Sequence, residues 1–182
     1  MKTNFNYVDY LWDDNKANAL GDDQVALFLY RSNILGTDLR ITNYGGGNTS
    51  CKTIEKDPLT NEEVEVMWVK GSGGDIGTLT RSGIAGLYTG RLRDLKNVYQ
   101  GLHDEDRMVG LFNHCIYDLD SKAPSIDTPL HGLLPFAHID HLHPDALIAV
   151  AAAKDVIAGQ MDAKSAGASI DDSIVIVGEK LH

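Results

Sequence analysis

The sequence predicts a single α/β domain, and three observations carry that expectation. The chain of 182 residues is 43% hydrophobic, which suffices to bury one sizeable core. Apolar residues fall at helical spacing in some stretches and alternate with period two in others, so helices and strands share one chain. Glycine- and proline-rich turns separate these stretches, and no internal repeat is present.

Taken in order, residues 1–20 show no sustained period and read as an N-terminal arm in which Tyr7, Tyr10, Leu11 and Trp12 can pack. Asp22 is the expected N-cap of a helix whose stripe is Val25, Leu27, Phe28, Tyr30 and Ile34, ending at Gly36. Leu39 to Thr42 reads as a strand running into a glycine-rich bend, Tyr44 to Ser50, after which Cys51 to Ile54 is extended again. Asp57-Pro58-Leu59-Thr60-Asn61 is turn chemistry, so Cys51 to Ile54 and Glu63 to Val69 form an expected hairpin. A second bend, Lys70 to Asp75, follows. Ile84 to Tyr88 is a further strand and Arg91 to Val98 a short helix. Asp104 starts a core helix with Met108, Val109, Leu111, Phe112, Cys115 and Ile116 on one face. Ser121 to Pro135 reads as a loop stiffened by Pro124, Pro129 and Pro135. Pro144 at the first helical position opens an alanine-rich helix to about Ala153, and Ser173 to Val177 is strand-like.

A net charge of -10 argues against a nucleic acid or an anionic membrane surface as partner, because both need clustered Lys and Arg. It does not exclude an anionic small substrate, which backbone N–H groups can hold. The two cysteines, Cys51 and Cys115, form no Cys-x-x-Cys pair, so a disulfide scaffold or cysteine-rich zinc module is not expected. No stretch has the apolar length a bilayer requires, and the first residues lack the pattern of a signal peptide; a cytoplasmic location is the expectation.

The chemistry concentrates in His138-Ile139-Asp140-His141-Leu142-His143-Pro144, which holds three of the seven histidines. On a strand, His141 and His143 project from one face, two imidazoles aimed at one point. That is half of a metal site, since catalytic zinc usually takes three protein ligands; the alternative is a histidine-rich loop that caps the helix after Pro144. The two glycine bends can form a phosphate cradle or be tight turns only. Asp127 in Pro124-Ser125-Ile126-Asp127-Thr128-Pro129-Leu130-His131 can serve a metal, move a substrate proton, or cap a turn.

Gly47-Asn48-Thr49-Ser50, Lys70-Gly71-Ser72-Gly73, Pro124-Ser125-Ile126-Asp127 with His131, and His141-Leu142-His143 occur in the order seen in the class II aldolase/adducin family, which the chain resembles over about residues 20–155. The wording is most similar to the aldolase part of bifunctional rhamnulose-1-phosphate aldolase/dehydrogenase proteins. The resemblance implies a three-layer α/β/α sandwich with a largely antiparallel central sheet, one domain over 1–182 with a divergent tail from 156 that is possible evidence of C-terminal truncation. It implies a homo-oligomer, often a tetramer, acting on a sugar phosphate.

By resemblance, zinc is held by His141 and His143 with a third histidine further along, and Asp127 is the acid/base where the family usually has glutamate. Asn48, Ser50, Gly71, Ser72, Gly73 and Ser125 fall where the family holds phosphate or the substrate's other oxygens. The implied reaction is zinc-dependent cleavage of a ketose 1-phosphate to dihydroxyacetone phosphate and a short aldehyde. For the third ligand the sequence leaves His182, His138 or His131, with Asp140 expected to point the other way on a regular strand. If that site does not close, the resemblance points instead to an adducin-like domain working through partner contacts; a related epimerase or dehydratase would share the site.

Overall fold

The computed structural model describes residues 10–101, 105–151 and 174–178. Its centre is a five-stranded sheet in the order β3-β2-β1-β4-β5, formed by Asn48–Lys56 (β1), Glu63–Lys70 (β2), Ile84–Tyr88 (β3), His138–Leu142 (β4) and Ile174–Gly178 (β5). Every pairing is antiparallel. The expected hairpin is present as β1 and β2, with Asp57 receiving the backbone N–H groups of Leu59 and Thr60 in the turn.

Both faces of the sheet are covered, which makes three layers. On one face lies Gln24–Thr37 (α2), where Val25 and Phe28 pack with Cys51, Leu79 and Ile84. On the other lie Thr89–Asp94 (α3), Glu105–Leu111 (α4) and Thr128–Leu133 (α5). Leu92, Leu95, Met108, Phe112 and Cys115 there meet Met67, Val69, Ala85 and Leu87 of the sheet. Successive residues of β2 therefore serve opposite cores, Val69 one and Trp68 the other, as strand pleating demands. Asp145–Ala151 (α6) follows β4 as expected after Pro144. Among the described residues no helix is long and apolar enough to cross a membrane.

Several local expectations differ from what the chain does. The arm contains a helix, Asp14–Ala19 (α1), because the Asp13 carboxylate caps the N–H groups of Asn15 and Lys16. Asp23, not Asp22, caps α2 by accepting from the Ala26 N–H. Leu39 to Thr42 is a turn: the Asp38 carbonyl takes the N–H groups of Ile41 and Thr42, and its carboxylate takes the Arg40 guanidinium and backbone N–H. The helix at 104–116 tightens to 3-10 geometry over Phe112–Cys115, as does the one after α3 over Leu95–Asn97. The proline-stiffened loop folds in part into α5, with proline in its first turn, where a missing N–H costs nothing.

Candidate active site at one end of the sheet

Antiparallel pairing brings the start of β1 next to the ends of β2 and β4. Asn48 faces His141 across the ladder, and Ser50 faces both Ile139 and Val69. Three of the sequence motifs therefore meet at one sheet end, and the fourth joins through Gly71, which forms a bridge with Pro124.

His141 and His143 project together: their Nε2 atoms are 3.2 Å apart and their ring centroids 4.8 Å. The Asp127 carboxylate Oδ2 stands 4.0 Å from His141 Nδ1. Asp127 occupies the N-cap position of α5 but makes no side-chain capping bond. Its carboxylate instead accepts from the Asn48 amide at 2.5 Å and from the Ser125 hydroxyl at 3.0 Å, and Asn48 also reaches Ser125 Oγ at 3.4 Å. A side chain that forgoes its local cap for a partner 79 residues away is oriented by the site, not by the turn.

The other histidines have different places. His131 on α5 is fully buried and shares a 2.7 Å hydrogen bond with the Ser50 hydroxyl through Nδ1, while its Nε2 is buried without a hydrogen-bond partner among the described residues. Its ring centroid lies 6.4 Å from that of His141. His138 pairs with Cys51 at the far end of β4, and Asp140, on the same face as His138, bonds to Arg31 of α2. Three residues of offset put His138 on the face opposite His141, away from the pair. His182 lies outside the described residues. Two imidazoles that converge suit a borderline metal such as zinc, but no group of three His, Cys, Asp or Glu is placed to hold an ion among the described residues. The donor set on view is one short of a catalytic zinc site.

The glycine bends divide their work. Gly71 donates its N–H to the Gly83 carbonyl and Ser72 donates to Ala123, so both are spent on the fold. Ser50 is likewise spent on His131 and is 1% exposed. At the atoms named these three hold the fold, while the Ser72 side chain and Gly73 are exposed and Asn48 and Ser125 face Asp127. Gly73 and Gly74 both have positive φ and make no backbone hydrogen bond among the described residues. In the first bend, Gly47 (φ 73°) passes so close under β4 that a β-carbon would lie 2.4 Å from the His141 carbonyl. Asn43 ties that bend to the His143 carbonyl at 3.0 Å.

Two functional candidates escaped the sequence reading. Asp75 joins the bends, accepting from the N–H groups of Gly45 and Gly77. Lys70 ends β2 directly before the second bend, is 2% exposed, and its side chain makes no hydrogen bond or ion pair among the described residues. Burial holds its ammonium below the ordinary lysine range, against the opposing pull of Asp75 and Asp127. A lysine directly after the apolar run Val66-Met67-Trp68-Val69 was the available signal.

Burial pushes His131 down to about 3, with His141, Lys52 and Arg31 adding to the effect, and His138 down to about 4, with Arg31 adding. Both are neutral in the fold, whereas the unfolded chain protonates them near the ordinary 6.5. Their contribution is therefore complete above pH 6.5 and lost as pH falls towards 4. Urea midpoints are expected to drop between pH 7 and 5, with a shallower drop in His138→Asn; equal slopes for parent and variant would remove His138 from this account.

The structure thus places a histidine pair and a carboxylate at one end of an antiparallel sheet inside a three-layer sandwich. The chain belongs to the class II aldolase and adducin N-terminal domain family, whose model matches residues 29–181, through β5. It has the class II aldolase fold: the N-terminal class II aldolase domain of a conserved protein from Thermoplasma acidophilum superposes with a TM-score of 0.69 at 26% identity, covering 85% of this chain and 70% of that one. It is also 42% identical over 146 residues, 80% of its length, to the uncharacterized oxidoreductase YuxG of Bacillus subtilis (strain 168), of which it spans 21%.

Proposed function

We propose that this domain is a zinc-dependent aldolase that cleaves a ketose 1-phosphate, of the rhamnulose 1-phosphate kind, to dihydroxyacetone phosphate and a short aldehyde. The observation that carries the reading is the convergence of the His141 and His143 Nε2 atoms, 3.2 Å apart, beside the Asp127 carboxylate. His141 and His143 would hold the metal, with a third ligand supplied from outside the described donors, His182 being one candidate. Bound zinc would polarise the substrate ketone and neutralise the charge that develops on its oxygen.

The chain's own residues do the rest. Asp127, aimed by Asn48 and Ser125, takes the C4 hydroxyl proton as the C3–C4 bond breaks and C4 becomes the aldehyde, then returns it to C3 of the enediolate. Lys70 and the backbone of Gly73 supply the positive potential for the phosphate, with the Ser72 hydroxyl beside them and Gly71 making the bend. Acting as a homo-oligomer, on family grounds as a tetramer, belongs to the same proposal.

A second reading follows from the same incomplete donor set: an adducin-like, non-catalytic domain acting through partner contacts. The name of the Bacillus relative and the 21% span also fit a lyase unit within a larger oxidoreductase. Metal analysis separates them. The aldolase reading expects about one zinc per chain, its loss in His141→Ala, and dihydroxyacetone phosphate released from at least one ketose 1-phosphate. No zinc in the parent and no change in His141→Ala would leave the non-catalytic reading.

A further inference from the structure

Lys70 has properties that a phosphate role alone does not use. Its side chain is buried at the end of β2 with no hydrogen bond or ion pair among the described residues. Polar atoms sealed from solvent without a partner include His131 Nε2 and Arg31 Nε but not Lys70 Nζ, so the little surface that Lys70 keeps includes its amine. Burial works against the ammonium charge more strongly than Asp75 and Asp127 work for it. Lys52 provides the contrast: burial brings its ammonium down to about 8, but its Nζ donates to the Leu134 carbonyl.

The bend beside Lys70 supplies the second half of a site. Gly73 and Gly74 have φ of 68° and 81°, make no backbone hydrogen bond among the described residues, and are exposed. A β-carbon at either would meet nothing within 4 Å, so the space over their N–H groups is open to an anion. Residues 70 and 73 have Cα atoms separated by about 11 Å at most, a gap that a lysine stem and a three-carbon phosphate together bridge. We propose that Lys70 is a nucleophilic amine that binds a phosphorylated ketone or aldehyde covalently and reversibly, as an imine. The ammonium form draws the phosphate in, and the form that has given its proton to solvent attacks. The nitrogen lone pair makes the bond to the carbonyl carbon. The oxygen then leaves as water with one proton from the nitrogen and one from solvent, an iminium remains, and no oxidant or reductant is consumed. This shares with the aldolase reading only the phosphate at the glycine bend, and it needs no metal.

The test uses the full chain, as purified and after chelation, with dihydroxyacetone phosphate as the probe and cyanoborohydride to reduce any iminium to a stable secondary amine. Peptide mass mapping should find Lys70 carrying the ketone less one oxygen atom. Its initial rate should exceed that of Lys52 by at least about tenfold, since the bend holds the phosphate beside the amine. Dihydroxyacetone without its phosphate should label Lys70 no faster than Lys52, and inorganic phosphate should slow labelling by dihydroxyacetone phosphate. Lys70→Arg, which keeps the charge, should lose the label.

No label at Lys70, label at Lys52 or on exposed lysines at the same rate, or equal labelling by the phosphate-free ketone overturns the proposal. The parent chain decides this even where Lys70→Arg fails to fold. Zinc-dependent cleavage of a ketose 1-phosphate with no label on Lys70 overturns the imine and leaves the aldolase reading standing. Label on Lys70 with no cleavage by the zinc-loaded chain supports the imine and overturns the aldolase reading.

Discussion

Asp127→Asn is expected to lower retro-aldol turnover by about 10²- to 10⁴-fold, the usual worth of a positioned acid/base, with zinc content and fold unchanged. Asparagine keeps the shape of the side chain, and its amide oxygen still accepts the Asn48 and Ser125 hydrogen bonds that hold Asp127 now. What it loses is the proton. Steady-state release of dihydroxyacetone phosphate, measured beside metal content, separates this from a binding defect: kcat should fall, and zinc should stay. Turnover within a few-fold of the parent would place the proton on another group.

Arg31→Met is expected to destabilise the domain by about 3–5 kcal/mol, the cost of leaving one member of a buried ion pair alone. Arg31 donates through Nη2 to Asp140 Oδ1 at 2.8 Å and to the Ser50 carbonyl at 2.9 Å, and both side chains of the pair are largely buried. Burial raises the Asp140 carboxyl above its ordinary value while Arg31 opposes the rise. A carboxyl raised in this way favours folding in its protonated form, so its benefit is present at low pH and lost as pH rises. The deficit of Arg31→Met relative to the parent should therefore shrink as the pH falls towards 3.8. Removing both charges in Arg31→Met/Asp140→Val should recover most of the loss, because no uncompensated charge then remains. Urea denaturation of the three variants reads this directly. A double variant no more stable than the single one would mean that the pair contributes more than mutual neutralisation.

The hairpin, the two edge strands β3 and β5 and the core helices were legible in the sequence because each has its own period or turn chemistry, whereas the β4 stretch read equally as a strand or a histidine-rich loop. Asp127 illustrates the boundary of that legibility. Its motif marked it as a candidate, but whether it capped α5 or served the site depended on Asn48, which only sheet pairing brings to it. The glycine bend shows the same limit in reverse. Gly71 and Ser72 had the right residue types for a phosphate cradle, yet their N–H groups are claimed by Gly83 and Ala123, and no local pattern announces such partners. Lys70 was given no role because a lysine at a strand end ordinarily reaches solvent; here it is buried. His141 and His143 stood out as a pair from strand alternation alone; what the sequence left open was His138 as a third partner, and the three-residue offset on β4 puts it on the opposite face from His141.

Placing β1 between β2 and β4 has a consequence for how the domain reaches its working form. The Asn48 to Asp127 contact spans 79 residues, and the Arg31 to Asp140 contact that braces β4 spans 109. Contacts of such separation form late and slowly, because chain entropy must be lost before they repay it. No short fragment contains the site. A metal that requires His141 and His143 together with the groups Asn48 and Asp127 beside them would accordingly bind only the completed sheet, and its binding free energy would add to the stability of the whole domain. Apparent zinc affinity would then report on distant packing changes as faithfully as on changes at the histidines themselves.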